Sequence, residues 1–216
     1  MKKSIAIFVM FLIYISLWSQ ETVLTSEGKA VILNKDGTWK YIVISTKDNA
    51  AFRKAIWGSS KEDIKKLETN EIAHESDDAI FYKTSIWGLD CSAIYIFADN
   101  KLVRGRYYFT PDHTNKTDFI DDFKKMKSLL TEKYGDPIDD QQIWKNDLYK
   151  DDPDNWGMAV ATGEMYCFAN WETESTDISI QLWGDNFEIK HIIDYTSKVY
   201  GNLEDQINKE KAKDEL

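Results

Sequence analysis

The stretch Trp57-Gly58-Ser59-Ser60-Lys61-Glu62-Asp63-Ile64-Lys65-Lys66-Leu67-Glu68 constrains this chain most. It reads as a strand end, a glycine break and a short helix over about residues 59–69. Ser59 with Glu62 three residues later fits a capping box, in which each side chain satisfies a backbone N–H at the helix start. Glu62 and Lys66 stand one turn apart on the exposed face. Ile64 and Leu67, with Ile56 and Trp57 upstream, supply the apolar contacts that hold the helix down. A chain that commits locally to strand, break and helix must lay helices on a sheet.

Downstream, three strands are predicted at Ala79–Trp87, Cys91–Ala98 and Leu102–Thr110. Gly88-Leu89-Asp90 and Asp99-Asn100-Lys101 supply the turns between them. A longer helix is predicted from about Thr117 to Tyr134. There Phe119, Phe123, Met126 and Leu130 recur at helical spacing as one apolar stripe. Asp118, Asp121 and Asp122 crowd its first turns, where the helix dipole favours negative charge. Gly135 sits at the expected C-cap, with Pro137 just beyond. The remainder reads as strand at Gln142–Lys145, Gly157–Thr162, Met165–Trp171, Asp177–Trp183 and Phe187–Tyr195. Past Ser197 the chain is polar, and a frayed helix or disordered tail is expected.

Upstream, Lys2 and Lys3 precede an apolar run from Ile5 to Trp18, the n-region and h-region of a secretory signal peptide. The run is short for a membrane span of about 20 residues. Cleavage is placed between Ser19 and Gln20, and no cysteine lies there to carry a lipid anchor. Loss of the two lysines takes the formal charge from -10 to -12. Such a chain has no basic face for nucleic acid or anionic lipid. The C-terminal Lys213-Asp214-Glu215-Leu216 matches an endoplasmic-reticulum retrieval signal letter for letter. The Lys/Glu/Asp-rich tail accounts for it by composition, and the dilysine-led signal looks bacterial. Between the signal and the central stretch, Lys29–Leu33 and Thr38–Ile44 flank Asn34-Lys35-Asp36-Gly37, a β-hairpin with an Asp-Gly turn.

The expected domains are a signal peptide at 1–19, a hairpin segment at 20–45, an α+β domain at 50–196 and a polar tail at 197–216. The α+β domain has halves of about 50–110 and 111–196. Tryptophan-glycine recurs at Trp57-Gly58, Trp87-Gly88, Trp156-Gly157 and Trp183-Gly184, which suggests duplication, a ring closing a sheet edge with glycine turning behind it. The expected fold is an antiparallel sheet with two helices on one face, a duplicated helix-plus-strands unit preceded by a β-hairpin. The Gly28-Lys29…Asp36-Gly37-Thr38-Trp39-Lys40-Tyr41 hairpin and Phe52-Arg53…Trp57-Gly58-Ser59-Ser60-Lys61-Glu62-Asp63-Ile64 resemble uncharacterised exported bacterial proteins. By element order alone, the chain is similar to β-lactamase inhibitory protein and to the outer-membrane assembly lipoprotein BamE. Neither resemblance brings catalytic residues with it.

Chemistry-bearing residues give no constellation. His74, His113 and His191 are scattered and read as surface or edge histidines, without the paired spacing of a zinc site. Cys91 and Cys167 fall in strands, one in each half; a bridge is open, but buried thiols are the simpler reading. The loop 147–155 holds Asp147, Asp151, Asp152, Asp154 and Asn155, yet Trp156 and Gly163 break the EF-hand pattern read from Asp152. A solvated acidic loop is expected there, with other calcium geometries open. Asp90, Asp112, Glu164 and Glu172 offer carboxylate pairs only as any acidic chain does. Trp144, Trp156 and Trp171 suit sugar stacking or, more simply, core packing. No nucleophile elbow, Walker loop or dinucleotide fingerprint occurs.

These patterns select an exported, non-enzymatic protein, periplasmic or extracellular, without cofactor or metal, that binds another protein or envelope component. A carbohydrate-binding or carbohydrate-processing role through the aromatic-acidic loop is the alternative. If the leader is a signal, N-terminal sequencing of the secreted chain begins close to Gln20; recovery from the cytosol with Met1 intact overturns that reading.

Overall fold

The computed structural model describes residues 21–24, 30–34, 36–41 and 51–214. Contacts divide the chain into two units, Met1–Val43 and Ile44–Leu216. In the first, β1 (Glu21–Leu24), β2 (Ala30–Leu33) and β3 (Trp39–Tyr41) form an antiparallel sheet in that order. The β2–β3 turn is the predicted one. Asp36 Oδ1 accepts from the Thr38 N–H at 2.9 Å, and the Asn34 N–H donates to the Thr38 carbonyl at 2.8 Å. β1 carries no turn signal beside it and was not anticipated. The predicted leader and cleavage site lie outside the described residues, as do Val43 and the end of the C-terminal tetrapeptide.

The second unit is an α+β fold whose two halves repeat one pattern. First come α1 (Lys61–Leu67) and the meander β4 (Ile72–Glu75), β5 (Ala79–Ile86), β6 (Leu89–Ala98) and β7 (Lys101–Phe109). Then come α2 (Asp118–Tyr134), β8 (Asp139–Trp144), α3 (Trp156–Ala161), β9 (Met165–Glu172), β10 (Thr176–Asp185), β11 (Glu188–Ser197) and α4 (Gly201–Asp214). The last strands of the two meanders pair, giving one antiparallel sheet of eight strands ordered β4-β5-β6-β7-β11-β10-β9-β8. At this seam Gly105 lies opposite Tyr195 and Arg106 opposite Asp194.

Period-two alternation gives the sheet two unlike faces. One face carries Ile80, Tyr82, Tyr95, Ile180, Leu182 and Ala169, all buried. The stripe Phe119, Phe123, Met126 and Leu130 of α2 and Ile64 of α1 join them in a single core. The expectation of helices on one face of an antiparallel sheet therefore holds, with α3 added beside α2. Gly157–Thr162 is the exception among the predicted strands, since 156–161 is helical. A short apolar run cannot be told from a strand by periodicity. Here small residues decide, because any Cβ at Gly157 would collide with the Lys116 and Thr117 backbone. The polar segment beyond Ser197 is the helix α4, which packs on β6 and β7. It begins beside the Thr196 methyl, on the second face of the sheet.

The central motif folds one residue later than its sequence suggests. Ser60, not Ser59, caps α1, and Asp63 closes the capping box: Ser60 Oγ donates to Asp63 Oδ2 at 2.7 Å and accepts from the Asp63 N–H at 3.2 Å. Two adjacent serines leave the register open in sequence; the backbone resolves it, with Gly58 N–H bonded to Leu102 O at 2.9 Å and Leu102 N–H to Ser59 O at 2.8 Å. Of the four apolar anchors, Trp57 and Ile64 are buried while Ile56 and Leu67 stay exposed. Phe52 and Ala55 form only an isolated bridge, not a strand.

Phe52 is the plug of the core. A Cβ at Gly105 would fall inside its ring, so only glycine at the seam lets the ring reach the sheet. Tyr95, Tyr107 and Tyr195 surround that ring at centroid distances of 5.1, 4.9 and 5.4 Å. Arg53, at φ +55°, forks onto Glu68 at 2.6 and 3.3 Å, closing the motif from its first residues to its helix C-cap. Tyr95 donates its hydroxyl to the same carboxylate. Burial, and then that carboxylate, raise the Tyr95 phenol far above its usual range.

Trp57 links the halves. Its indole N–H donates to Thr176 Oγ1 at 2.9 Å in a fully buried bond, reaching from the first half to the start of β10. Trp57→Ala removes the ring's transfer free energy, opens a cavity and takes the indole donor from that hydroxyl. Chemical denaturation is expected to show a loss of roughly 3–5 kcal/mol. A change within about 0.5 kcal/mol, as at surface sites, would make Trp57 something other than a structural anchor.

Candidate functional site

The second face of the sheet carries the site. Over β8, β9 and β10 no helix of the described residues packs on it, since α2 and α3 lie on the opposite face. Register lines up Tyr108, Ile192, Gln181 and Phe168 in one row across β7, β11, β10 and β9. The next row toward the strand ends brings Lys190, Trp183, Tyr166 and Ile143 together. Ile192 is buried between larger neighbours, while Tyr108, Tyr166, Phe168, Gln181 and Trp183 are half-buried. The alternation Met165-Tyr166-Cys167-Phe168-Ala169-Asn170-Trp171 places Tyr166, Phe168 and Asn170 outward. Period two could have found these residues in the sequence; attention to tryptophan-glycine pairs passed over them.

At the end of this face lies a cleft of about 410 Å³ lined by Ile143, Lys145, Glu164, Tyr166, Gln181 and Trp183, with Gly163, Met165 and Gly184 completing its wall. Its shape depends on a close approach of backbones. A Cβ at Gly184 would lie 2.9 Å from Ala161 Cα and from Glu188 O, so only glycine lets β10 pass under α3. The wall is hydrogen-bonded. Tyr166 Oη donates to Gln181 Oε1 at 2.9 Å, and Gln181 Nε2 donates to Ser179 Oγ at 3.2 Å. Tyr166 also stacks on Phe168 at 5.4 Å. The Lys145 N–H donates to Glu164 O at 2.8 Å, setting a cation and a carboxylate side by side at the rim. Glu164 Oε2 is enclosed and accepts no hydrogen bond.

The other candidate residues are dispersed. Among the carboxylates, Glu172 pairs with Lys198 at 2.7 Å, and Asp90 and Asp112 are exposed. Glu164 and Glu172 bracket β9, about 26 Å apart at strand rise, far beyond the 9.5 Å or so that glycoside hydrolysis tolerates. The tryptophans divide: Trp171 is in the core, donating to Gly135 O at 2.9 Å, while Trp144 and Trp156 meet edge to face at 5.9 Å. The groove beside Trp156 has one carboxylate, Asp140, already held by Lys127 at 2.8 Å. In the acidic loop Asp147 pairs with Lys150 at 3.0 Å, and Asp152 accepts from Asn155 at 2.7 Å. Among the described residues no group of three or more His, Cys, Asp or Glu could hold a metal ion.

The tryptophan-glycine echo also resolves into separate roles. Gly58 and Gly88 turn at positive φ, whereas Gly157 and Gly184 serve close packing. Trp183 lies inside β10 rather than at its turn, which Asn186 and Phe187 form.

Cys91 and Cys167 are both buried and free. Phe109, His191 and Leu182 stand between them in one cross-strand row, so four strand steps separate them by about 19 Å. A disulfide needs Cα atoms within about 7 Å. Burial pushes each thiol up to about 11.

Compared with known proteins, the chain matches no family model, no curated protein and no solved structure.

The histidines depart most from expectation. His74 is an edge residue beside Phe81, and His113 bonds Asp122 at 2.5 Å. His191, expected at the surface, is 1% exposed in the middle of the sheet. It stacks on Phe109 at 4.5 Å and faces Phe123 of α2, with neither ring nitrogen hydrogen-bonded. Period two placed it inward; its polar character disguised that. The two cysteines stand at the ends of the same row, and beside Phe123 on α2 is Asp122, bonded to His113. Burial alone pulls His191 down to about 3. The folded chain thus binds fewer protons here than the unfolded one. The contribution is full above about pH 6.5 and is lost as pH falls toward 3, at roughly 1.4 kcal/mol per unit. In denaturation between pH 7 and 4, His191→Leu is expected to flatten this slope; an unchanged slope would place the acid sensitivity elsewhere.

Proposed function

We propose that this chain is an exported, non-enzymatic protein that binds another macromolecule at the cell envelope through the uncovered part of its second sheet face. The observation that carries this reading is the row Tyr108, Ile192, Gln181 and Phe168 with Trp183 and Tyr166 above it. Its aromatic members, Tyr108, Phe168, Tyr166 and Trp183, lie half-exposed on the strands. Aromatic side chains give large contact area at low entropic cost, which is why they dominate binding surfaces. Strand positions hold them in fixed geometry, as recognition requires. The separation of Glu164 and Glu172, about 26 Å at strand rise, the carboxylate-held His113 and the buried thiols support binding over catalysis. Among the described residues no helix is long and apolar enough to cross a membrane.

The chain beginning at Gln20, immobilised and exposed to its own envelope fraction, is expected to retain a partner. Phe168→Asp is expected to weaken capture at least about tenfold, equivalent to about 1.4 kcal/mol, while thermal unfolding stays close to that of the parent. Capture that is indifferent to Phe168→Asp moves the binding surface elsewhere. A hydrolase activity of the purified chain, lost on one carboxylate substitution, replaces the reading with an enzymatic one.

A further inference from the structure

We infer that the cleft at the ends of β8, β9 and β10 is a subsite for a neutral hexopyranose ring, so that the envelope macromolecule of the preceding section is a glycan. The inference rests on that binding role and adds the class of partner. A pyranose has an apolar C–H face and a rim of hydroxyls that both donate and accept. The cleft offers the complement of each. Trp183, with Ile143 and Tyr166, supplies an apolar wall against which a ring can lie flat. Glu164 lines the same cleft and supplies a carboxylate that can accept from a hydroxyl. Lys145, beside Glu164 at the rim, supplies donors for a hydroxyl or ring oxygen.

Charge selects among sugars. The one carboxylate and one lysine of the cleft balance, and the formal charge of -10 on the chain disfavours uronic acids and phosphorylated sugars, leaving neutral hexoses and N-acetylhexosamines. Size agrees, since about 410 Å³ falls in the usual range for small-ligand clefts, roughly 300–1,000 Å³. This is not the site that the sequence pointed to. The groove beside Trp156 contributes one carboxylate, Asp140, already held by Lys127, whereas this cleft sets an aromatic wall beside Glu164 and Lys145.

The test uses the chain beginning at Gln20 and proton–nitrogen spectra, with the Trp183 indole signal assigned from Trp183→Phe. Glucose, galactose, mannose and N-acetylglucosamine are titrated to about 100 mM, enough to load a site with a dissociation constant near 10 mM. At least one is expected to move the Trp183 signal saturably, while sorbitol, which has hydroxyls but no ring, leaves it in place. Glu164→Gln, nearly isosteric, is expected to weaken that sugar about tenfold without lowering the melting temperature. Silence from all four sugars, or a shift indifferent to Glu164→Gln, overturns the inference. If the sugars are silent yet Phe168→Asp still abolishes capture of an envelope protein, the partner is a protein and only the glycan assignment falls. If capture is lost from neither surface, both readings fall together.

Discussion

One ring seated on one glycine holds this architecture together. Phe52 can touch the sheet only because Gly105 has no side chain, and Gly105 sits where the two meanders join. Around the ring stand Tyr95 from β6, Tyr107 from β7 and Tyr195 from β11, so a residue outside the sheet bridges both halves. Trp57 repeats the device five residues later, reaching Thr176 at the start of β10. Between these anchors the backbone is fixed by Gly58 and Ser59 bonding Leu102. Arg53 and Glu68 then tie the two ends of the segment. Without the plug the halves lose this shared ring contact, while strand pairing at the seam, the Trp57–Thr176 bond and the Arg106–Asp194 pair on the far face remain.

The same construction makes the sheet two-faced. The buried Ile64 of α1 and the stripe of α2 are committed to the first face. The second face over β8 to β10 then has aromatic residues and no helix to cover them. The pleat separates the core face from the open one: adjacent residues in β9, Cys167 and Phe168, lie on opposite sides. A substitution on one side need not disturb the other.

His191 shows what this separation costs in polarity. A neutral imidazole stacked in the covered face contributes packing, but its nitrogens forgo water without gaining partners. That arrangement is tolerable at neutral pH, where the ring carries no charge, and increasingly unfavourable as acid charges the unfolded chain.

The sequence by itself determined the element types wherever a pattern ran long enough to be unambiguous. The stripe of α2, the glycine C-cap at Gly135 and the alternation of β5 to β7 and β9 to β11 could all be read locally, because burial of one face imposes its period on the chain. It also disclosed the duplicated halves, through order alone. Where the signal was short or symmetrical, it failed. Ser59 and Ser60 are equivalent until Leu102 pins the backbone, and 156–161 reads as strand until the Lys116–Thr117 segment requires a helix of small residues. The site itself was a tertiary decision. Ile143, Glu164, Tyr166, Gln181 and Trp183 come from three strands, and only the antiparallel register brings them to one cleft. No spacing along the chain encodes that neighbourhood, because register is set by the turns and the core together.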